Sequence, residues 1–315
     1  LKGQPSSNNR LIPCSHSKSS TEDIVMQDPK ISANSSSDGA TWIPESKSAV
    51  THPHMTDDFA RVYEMTANRN TGQIAALALD RVGGIQWGTH VFDIAAGAGA
   101  LGVPAALRGA AVLAIDNAPG MVNLLEKRLA PFPSSEARLM DGQQLALNDD
   151  SFDATFSLFG ASIFPDWRRG LAEQARVTRR GGKACVATWR KPPGGGPFMV
   201  MAQALRSVFP DMRPPAPPEG FLLLSEPDRL AKEMAHAHLS AIDVEEIETV
   251  WEGPAGHAYL DELRDLHSYM GVYAQLDSGQ RRRVDAAILE VIDGLASGNT
   301  VILRATAVLA VGTKR

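Results

Sequence analysis

The sequence predicts an α/β fold: a seven-stranded, mostly parallel sheet with helices on both faces, an antiparallel last strand and a helical cap. Three observations predict it. Short apolar runs alternate with helical patterns from about residue 90 to about residue 190. The run AVLAI at residues 111–115 is continuously apolar, as a parallel strand buried on both faces should be. The stretch VFDIAAGAGALG at residues 91–102 carries an apolar strand straight into a burst of small residues. Sheets of this class meet a nucleotide in that way.

Bulk properties narrow the function classes. The chain has 315 residues, and with 43% of them hydrophobic it can bury a full core. A formal net charge of -5 offers no basic footprint for nucleic acid. No apolar stretch approaches the roughly 18 residues a membrane span needs. The two cysteines, Cys14 and Cys185, cannot build a disulfide framework and have no metal-ligand spacing around them. His52 and His54 lack a partner acid at ligand spacing, so no metal is expected. A reducing, cytoplasmic setting follows. The serine-rich first twenty residues carry Lys2, Arg10 and Lys18 without an acid, which leaves a mitochondrial transit segment as the alternative. The chain opens on Leu1, which leaves the translated start open, Met26 being one candidate.

The elements follow in order. Residues 1–52 are rich in Ser, Asn and Pro and are expected to form a disordered tail. Residues 57–79 read as one helix with Phe59, Val62, Tyr63, Ile74, Leu77 and Leu79 as its apolar positions, stopped by Gly83-Gly84. Strands are expected at 90–94, 111–115, 137–140, 152–158 and 184–189. Helices are expected at 101–108, 119–129 and 167–178, the last stopped by Gly181-Gly182. The core so defined, residues 53–190, would bind the cofactor. Beyond it the rhythm breaks. KPPGGGPF and PPAPPEG read as loops around one helix near 198–208, followed by a helix at 227–237 and a strand at 243–251. Helices at 257–276 and 280–295 and a last strand at 301–311 would complete the sheet and cap the substrate.

Gly97, Gly99 and Gly102 satisfy the G-x-G-x-x-G pattern. Asp116 ends the next strand about twenty residues on, where an acid accepts ribose hydroxyls. On those residues alone, NAD and S-adenosylmethionine fit equally well, and an NAD-dependent oxidoreductase remains the alternative. Asp93 separates them: a carboxylate aimed into the site repels a pyrophosphate and attracts the ammonium of an aminoacyl-sulfonium cofactor. Asp141-Gly142-Gln143, just after the third strand, can receive the adenine amine, with Met140 and Leu145 packing the ring. No Tyr-x-x-x-Lys pair lies in the sheet region.

The run from VFDIAAGAGALG through VLAIDNAPGMVNLLEKRL and LMDGQQLALNDDSFDATFSLFGASIFPDWRRGLAEQARVTRRGGKACVATWR resembles class I S-adenosylmethionine-dependent methyltransferases of the ubiquinone/menaquinone-biosynthesis-like group. The resemblance covers residues 57–190 and extends to 191–315 in outline. It implies a Rossmann-like fold and S-adenosyl-L-methionine as cofactor. Carried over by position, Asp93, Ala95, Gly97 and Gly99 would form the cofactor loop, with Ala95 standing where the commonest version has glycine. Asp116 would hold the ribose, and Asn117 and Met121 would flank the adenine. Asp141, Gly142 and Gln143 would bind its edge, and Leu158 would close the wall at the fourth strand. Tyr63 would pack over the methionyl part, and Arg69, from NRNTGQIAALAL, would pair with its carboxylate.

Phe159, Phe164 and Trp167 follow the fourth strand, and Met270 and Tyr273 lie in a late helix. These are the expected substrate-pocket residues. Methyl transfer from a sulfonium requires collinear orientation more than acid–base help. No residue announces itself as a base; His267 and Tyr269 are the only candidates. An apolar pocket without a base favours a lipophilic or easily ionised small-molecule acceptor of unresolved O, N, S or C type. A relative that binds the cofactor without turnover is the remaining reading.

Overall fold

The computed structural model describes residues 55–315. The expected tail, Cys14, His52 and His54 lie outside the described residues. The sheet runs β3(Glu136–Leu139), β2(Ala111–Asp116), β1(His90–Ile94), β4(Phe152–Leu158), β5(Thr178–Trp189), β8(Thr300–Lys314), β6(Leu239–Pro254), with the short β7(Ala296–Ser297) pairing β8. The first five strands are mutually parallel. The last strand inserts between β5 and β6 and pairs antiparallel with both. The expected mostly parallel sheet with an antiparallel final strand is therefore observed.

Eleven α-helices accompany it among the described residues: α1(Asp57–Thr66), α2(Asn68–Val82), α3(Gly102–Leu107), α4(Pro119–Leu129), α5(Trp167–Val177), α6(Pro197–Val208), α7(Glu219–Leu224), α8(Pro227–His236), α9(His257–Tyr269), α10(Gly271–Ala274) and α11(Ser278–Leu295). Alternating strand positions feed the two faces. Cys185 and Ala187 of β5 join Ile74, Leu79, Leu101 and Leu125 under α2, α3 and α4. Ala184 and Val186 join Trp167, Leu171, Leu230 and Met234 under α5 and α8. That alternation is the period of two that places successive strand side chains on opposite faces. No helix among the described residues is long and apolar enough to cross a membrane.

Four expectations change. The single helix at 57–79 breaks at Ala67, because the Thr66 carbonyl accepts from Trp251 Nε1 at 3.1 Å while the Asn70 amide turns to the Ala67 carbonyl. A tertiary donor has replaced a helical one. Gly181-Gly182 does not precede β5 but lies inside it, where the register slips between Phe152↔Thr178 and Ala154↔Lys183. Gly181 has φ +76°, and a Cβ on Gly182 would sit 2.8 Å from the Asp153 carbonyl oxygen. The glycines thus form a bulge. The helix expected over 257–276 divides at Met270, which is extended. Helix α7 stands where a loop is expected; its EGFLLL buries Phe221 and Leu224 directly behind Pro218.

Candidate active site

The glycine loop leaves β1 through three left-handed residues, Ala95 (φ +56°), Gly97 (+53°) and Gly99 (+87°). Backbone and carboxylate bonds lace it down. Ala96 N donates to the Ile115 carbonyl at 2.9 Å, and Gly99 N to the Ala96 carbonyl at 3.0 Å. Asp116, at the end of β2, accepts from Gly97 N through Oδ2 and from Ala118 N through Oδ1, both at 2.9 Å. The sequence aims Asp93 into the site. The structure instead turns its Oδ2 onto Gly102 N, 3.0 Å away, at the start of α3. An unsatisfied helix N-terminal donor is what draws it there.

Both carboxylates are buried, Asp93 with 2% and Asp116 with 8% of its surface exposed. Burial pushes Asp93 up to about 7, against the lowering effect of the Gly102 amide and with a further rise from Asp116. Asp116 is also raised by burial, offset in part by the amides of Ala118, Gly97 and Asn117. Neither is paired with a cationic side chain among the described residues. Two buried acids at one loop make an environment that favours an incoming positive charge.

Helix α1 lies over this loop. A Cβ on Gly120, at the start of α4, would come within 2.2 Å of the Thr56 backbone, so only glycine permits the approach. Asn123 donates to Asp57 at 2.8 Å, and Arg128 spans the Ala98 carbonyl and, at 2.9 Å, Glu64. Tyr63 is thereby brought to the loop, its Cε1 3.9 Å from the Cβ position of Gly97. Burial, with a contribution from Asp116, pushes its phenol up to about 12. Met121 packs with Phe59, Ala98 and Ala118 beneath α1, while Asn117 stays exposed.

On the far side of β2, Asp141 is exposed and accepts from Gln143 N at 2.9 Å and Gln143 Nε2 at 3.0 Å. Gln143 Oε1 in turn accepts from Asp166 N at 2.7 Å, which ties this turn to the start of α5. A Cβ on Gly142 would collide with Phe164 Cζ at 2.7 Å. Leu158 ends β4 and packs on the α2-side core.

Several expected site residues lie elsewhere. Arg69 forms an ion pair with Glu262 and donates to the Met65 and Glu252 carbonyls, over the Trp251 ring. Its partners belong to α1, α9 and β6, not to the glycine loop. Phe164 is a wedge between Gly142 and Gly170. Trp167 is 1% exposed in the core, with Nε1 donating to Glu219 at 3.1 Å. Tyr273 donates to Asp285 at 2.6 Å. His267 is 2% exposed between the rings of Tyr259 and Tyr273; burial lowers it to about 4, and Nε2 lacks a partner among the described residues. Trp167, Tyr273 and His267 are apolar or amphipathic residues of helices, a pattern that marks core and pocket alike.

Other expected residues do converge. Phe159 is held at φ +64° with its amide on the Ala187 carbonyl at 2.7 Å and stacks on Trp189 at 4.5 Å. A bulky residue in that region stores strain, which clusters at functional sites. Tyr269 meets Phe59 edge-on at 5.4 Å. Tyr269 and Met270 line a cavity of ≈ 220 Å³ whose other walls include Phe59, Phe198, Met201 and Leu266. Sequence reading missed Phe59, Phe198, Met201 and Trp189 as site residues; the signal was the unexplained KPPGGGPF loop that joins two of them. No group of three or more His, Cys, Asp or Glu that could hold a metal occurs among the described residues.

A family model described as a methyltransferase domain matches residues 92–186. A demethylmenaquinone methyltransferase of Renibacterium salmoninarum is 32% identical over 178 residues, 55% of this chain and 73% of that protein. The chain belongs to the class I S-adenosylmethionine-dependent methyltransferases. A second demethylmenaquinone methyltransferase, from Clavibacter sepedonicus, is 32% identical over 142 residues, 44% of this methyltransferase and 58% of that relative. Among solved structures, a proposed methyltransferase of Bacillus halodurans superposes with a TM-score of 0.52 at 14% identity, covering 77% of this chain and 99% of that one. That likeness shows the shared fold. The oxidoreductase alternative falls with the family match. The cofactor of this methyltransferase is S-adenosylmethionine, and the site fits it: two buried acids without a cationic side-chain partner among the described residues flank a loop whose glycines, lacking side chains, let a ligand approach the backbone closely.

Proposed function

We propose that this methyltransferase acts on a lipophilic small molecule and that its glycine-loop residues divide the cofactor between them. The observation that carries the acceptor class is the apolar cavity between α1, α6 and α9, whose Phe59 is in ring contact with Tyr63 at 5.7 Å, which itself covers Gly97. Pockets of this kind bind through apolar walls and a few placed polar groups.

S-adenosylmethionine supplies an activated methyl on a sulfonium, so the protein's task is orientation. Asp116 has two oxygens engaged by amides, and each retains a lone pair for a ribose hydroxyl. Asp93 sits beneath the loop and acts on the ammonium by charge rather than by direct contact. Gly97 and Gly99 let the backbone approach the methionyl chain, and Tyr63 closes over it. Asn117, Met121 and the Asp141–Gln143 turn border the adenine. Leu158 and Phe159, at the end of β4, form the floor on which the methyl is presented. The neutral, buried His267 is not assigned a proton-transfer role.

The test is transfer of labelled methyl from S-adenosylmethionine to a panel of phenols, naphthols, thiols, amines and polar alkyl alcohols. Product with the aromatic, lipophilic members is expected. Activity confined to the polar alkyl alcohols overturns the reading.

A further inference from the structure

The triple glycine between β5 and α6 is not accounted for by the cofactor site. It wraps two indoles and one amide. A Cβ on Gly194 would lie 2.8 Å from Trp189 Cδ1, and one on Gly196 would lie 3.3 Å from Trp251 Cδ1. A Cβ on Gly195 would lie 2.6 Å from Asn70 Nδ2 and 2.9 Å from Trp189 Cη2. The loop can close this tightly only without side chains, with Gly194 at φ +105° and Gly196 at φ +64°. The result holds the Asn70 amide beside Trp189, whose ring stacks on Phe159. All of this lies at the carboxyl ends of β4 and β5, where open α/β sheets receive their ligands.

Asn70 is 3% exposed. Its neighbour Thr71 is satisfied by the Ala67 carbonyl and Asn68 Oδ1, both at 3.2 Å. The Asn70 side-chain amide makes no such bond among the described residues. Its polar atoms are not among the enclosed, unpartnered ones of the described residues, so an otherwise buried side chain keeps its amide accessible to a ligand at this wall. The nearby guanidinium of Arg69 is already neutralised by Glu262. The wall therefore presents a neutral donor and acceptor next to aromatic faces, which suits a neutral oxygen and not a phosphate or carboxylate.

We propose that Asn70 selects the methyl acceptor, its side-chain amide binding a hydroxyl or carbonyl oxygen on a planar molecule laid against the Phe159–Trp189 pair. This inference rests on the lipophilic-acceptor reading and adds its polar contact.

The test uses the full chain loaded with S-adenosylhomocysteine and titrated calorimetrically with 1-naphthol and with naphthalene. Wild type is expected to prefer 1-naphthol by about tenfold or more, the worth of one well-made hydrogen bond. In Asn70→Leu the preference should fall to about twofold or less, with S-adenosylhomocysteine bound as in wild type. If Asn70→Leu does not fold, Asn70→Ala is read in the same way, its S-adenosylhomocysteine binding certifying the fold. An undiminished naphthol preference in the variant overturns the inference. So does a tenfold or greater loss of S-adenosylhomocysteine affinity, which would make Asn70 a cofactor residue. Wild-type protein that binds S-adenosylhomocysteine but neither probe overturns it too, and then the lipophilic-acceptor reading fails while the methyltransferase stands. Naphthalene bound without preference for 1-naphthol overturns the role of Asn70 alone.

Discussion

At the β1–β2 side of the site, Asp93 and Asp116 gather backbone amides at 2.9 to 3.0 Å around a loop of left-handed residues. At the α6–α9 side, Phe59, Phe198, Met201 and Met270 enclose an apolar space, and the Asn70 amide stands beside stacked rings. The first region is charged, built from neighbouring strand ends, and pre-shaped by hydrogen bonds with defined directions. The second is neutral and shaped by side-chain packing from distant helices. The contrast teaches how one fold can build two differently shaped binding regions side by side. On the assignment proposed above, directional bonds hold the cofactor side, and non-directional apolar contact lines the acceptor side.

Three experiments can break or sharpen this contrast. The largest effect is expected from Asp116→Asn, which keeps the shape but replaces charge-assisted acceptance at Gly97 and at the ribose proposed to sit there. Calorimetric affinity for S-adenosylhomocysteine should fall by about 10- to 100-fold, the cost of one hydrogen bond to a charged group. Affinity for apolar probes should hold. A matching loss on the apolar side would erase the division between the two regions.

An intermediate effect concerns pH. Asp93 stands near 7 in the folded protein and near about 3.9 in an unfolded chain. Between those values the folded form carries a proton that the unfolded form has lost, so stability of the cofactor-free protein falls as pH rises through that window. It levels off above about 7. A cofactor ammonium favours the ionised acid, so cofactor binding should release a proton and tighten as pH rises toward about 7. Melting curves at about pH 5 and about pH 8 should show this slope in wild type and a shallower one in Asp93→Asn. Equal slopes in both proteins would remove Asp93 as the source.

The smallest effect tests the loop's internal fit. Gly160 has φ −82°, open to any residue, yet a Cβ there would meet the Ala95 methyl at 2.5 Å. Gly160→Ala alone should destabilise by about 1–3 kcal/mol through overpacking. In an Ala95→Gly background the same change should cost measurably less, since the colliding methyl is gone. Strict additivity in denaturant melts would show that the clash is relieved elsewhere.

Much of the glycine-loop region was legible in the chain. The AVLAI strand, the Pro119–Leu129 helix, the glycine loop and Asp116 all announce themselves within a few residues, because strand burial, capping and loop geometry are local demands. Even there the direction of Asp93 was not legible: its turn toward Gly102 depends on where α3 begins. The sequence nominates Arg69 where Asn70 is the inward residue, because the break at Ala67 rotates α2 relative to α1. That break is imposed by Trp251, 185 residues from Thr66 along the chain. His267 and Trp167 could not be sorted into pocket or core, since helical periodicity records that a residue faces inward and not what it faces.

The sequence by itself determined the fold class, the family and the glycine loop, because strand period and small-residue motifs act between near neighbours. Only the tertiary structure decided which aromatic side chains border the apolar cavity, which arginine is spent on an ion pair, and that the triple glycine closes over Trp189, Trp251 and Asn70. Those outcomes depend on contacts between α1, α2, β6, α6 and α9, and packing between distant segments leaves no local period in the chain.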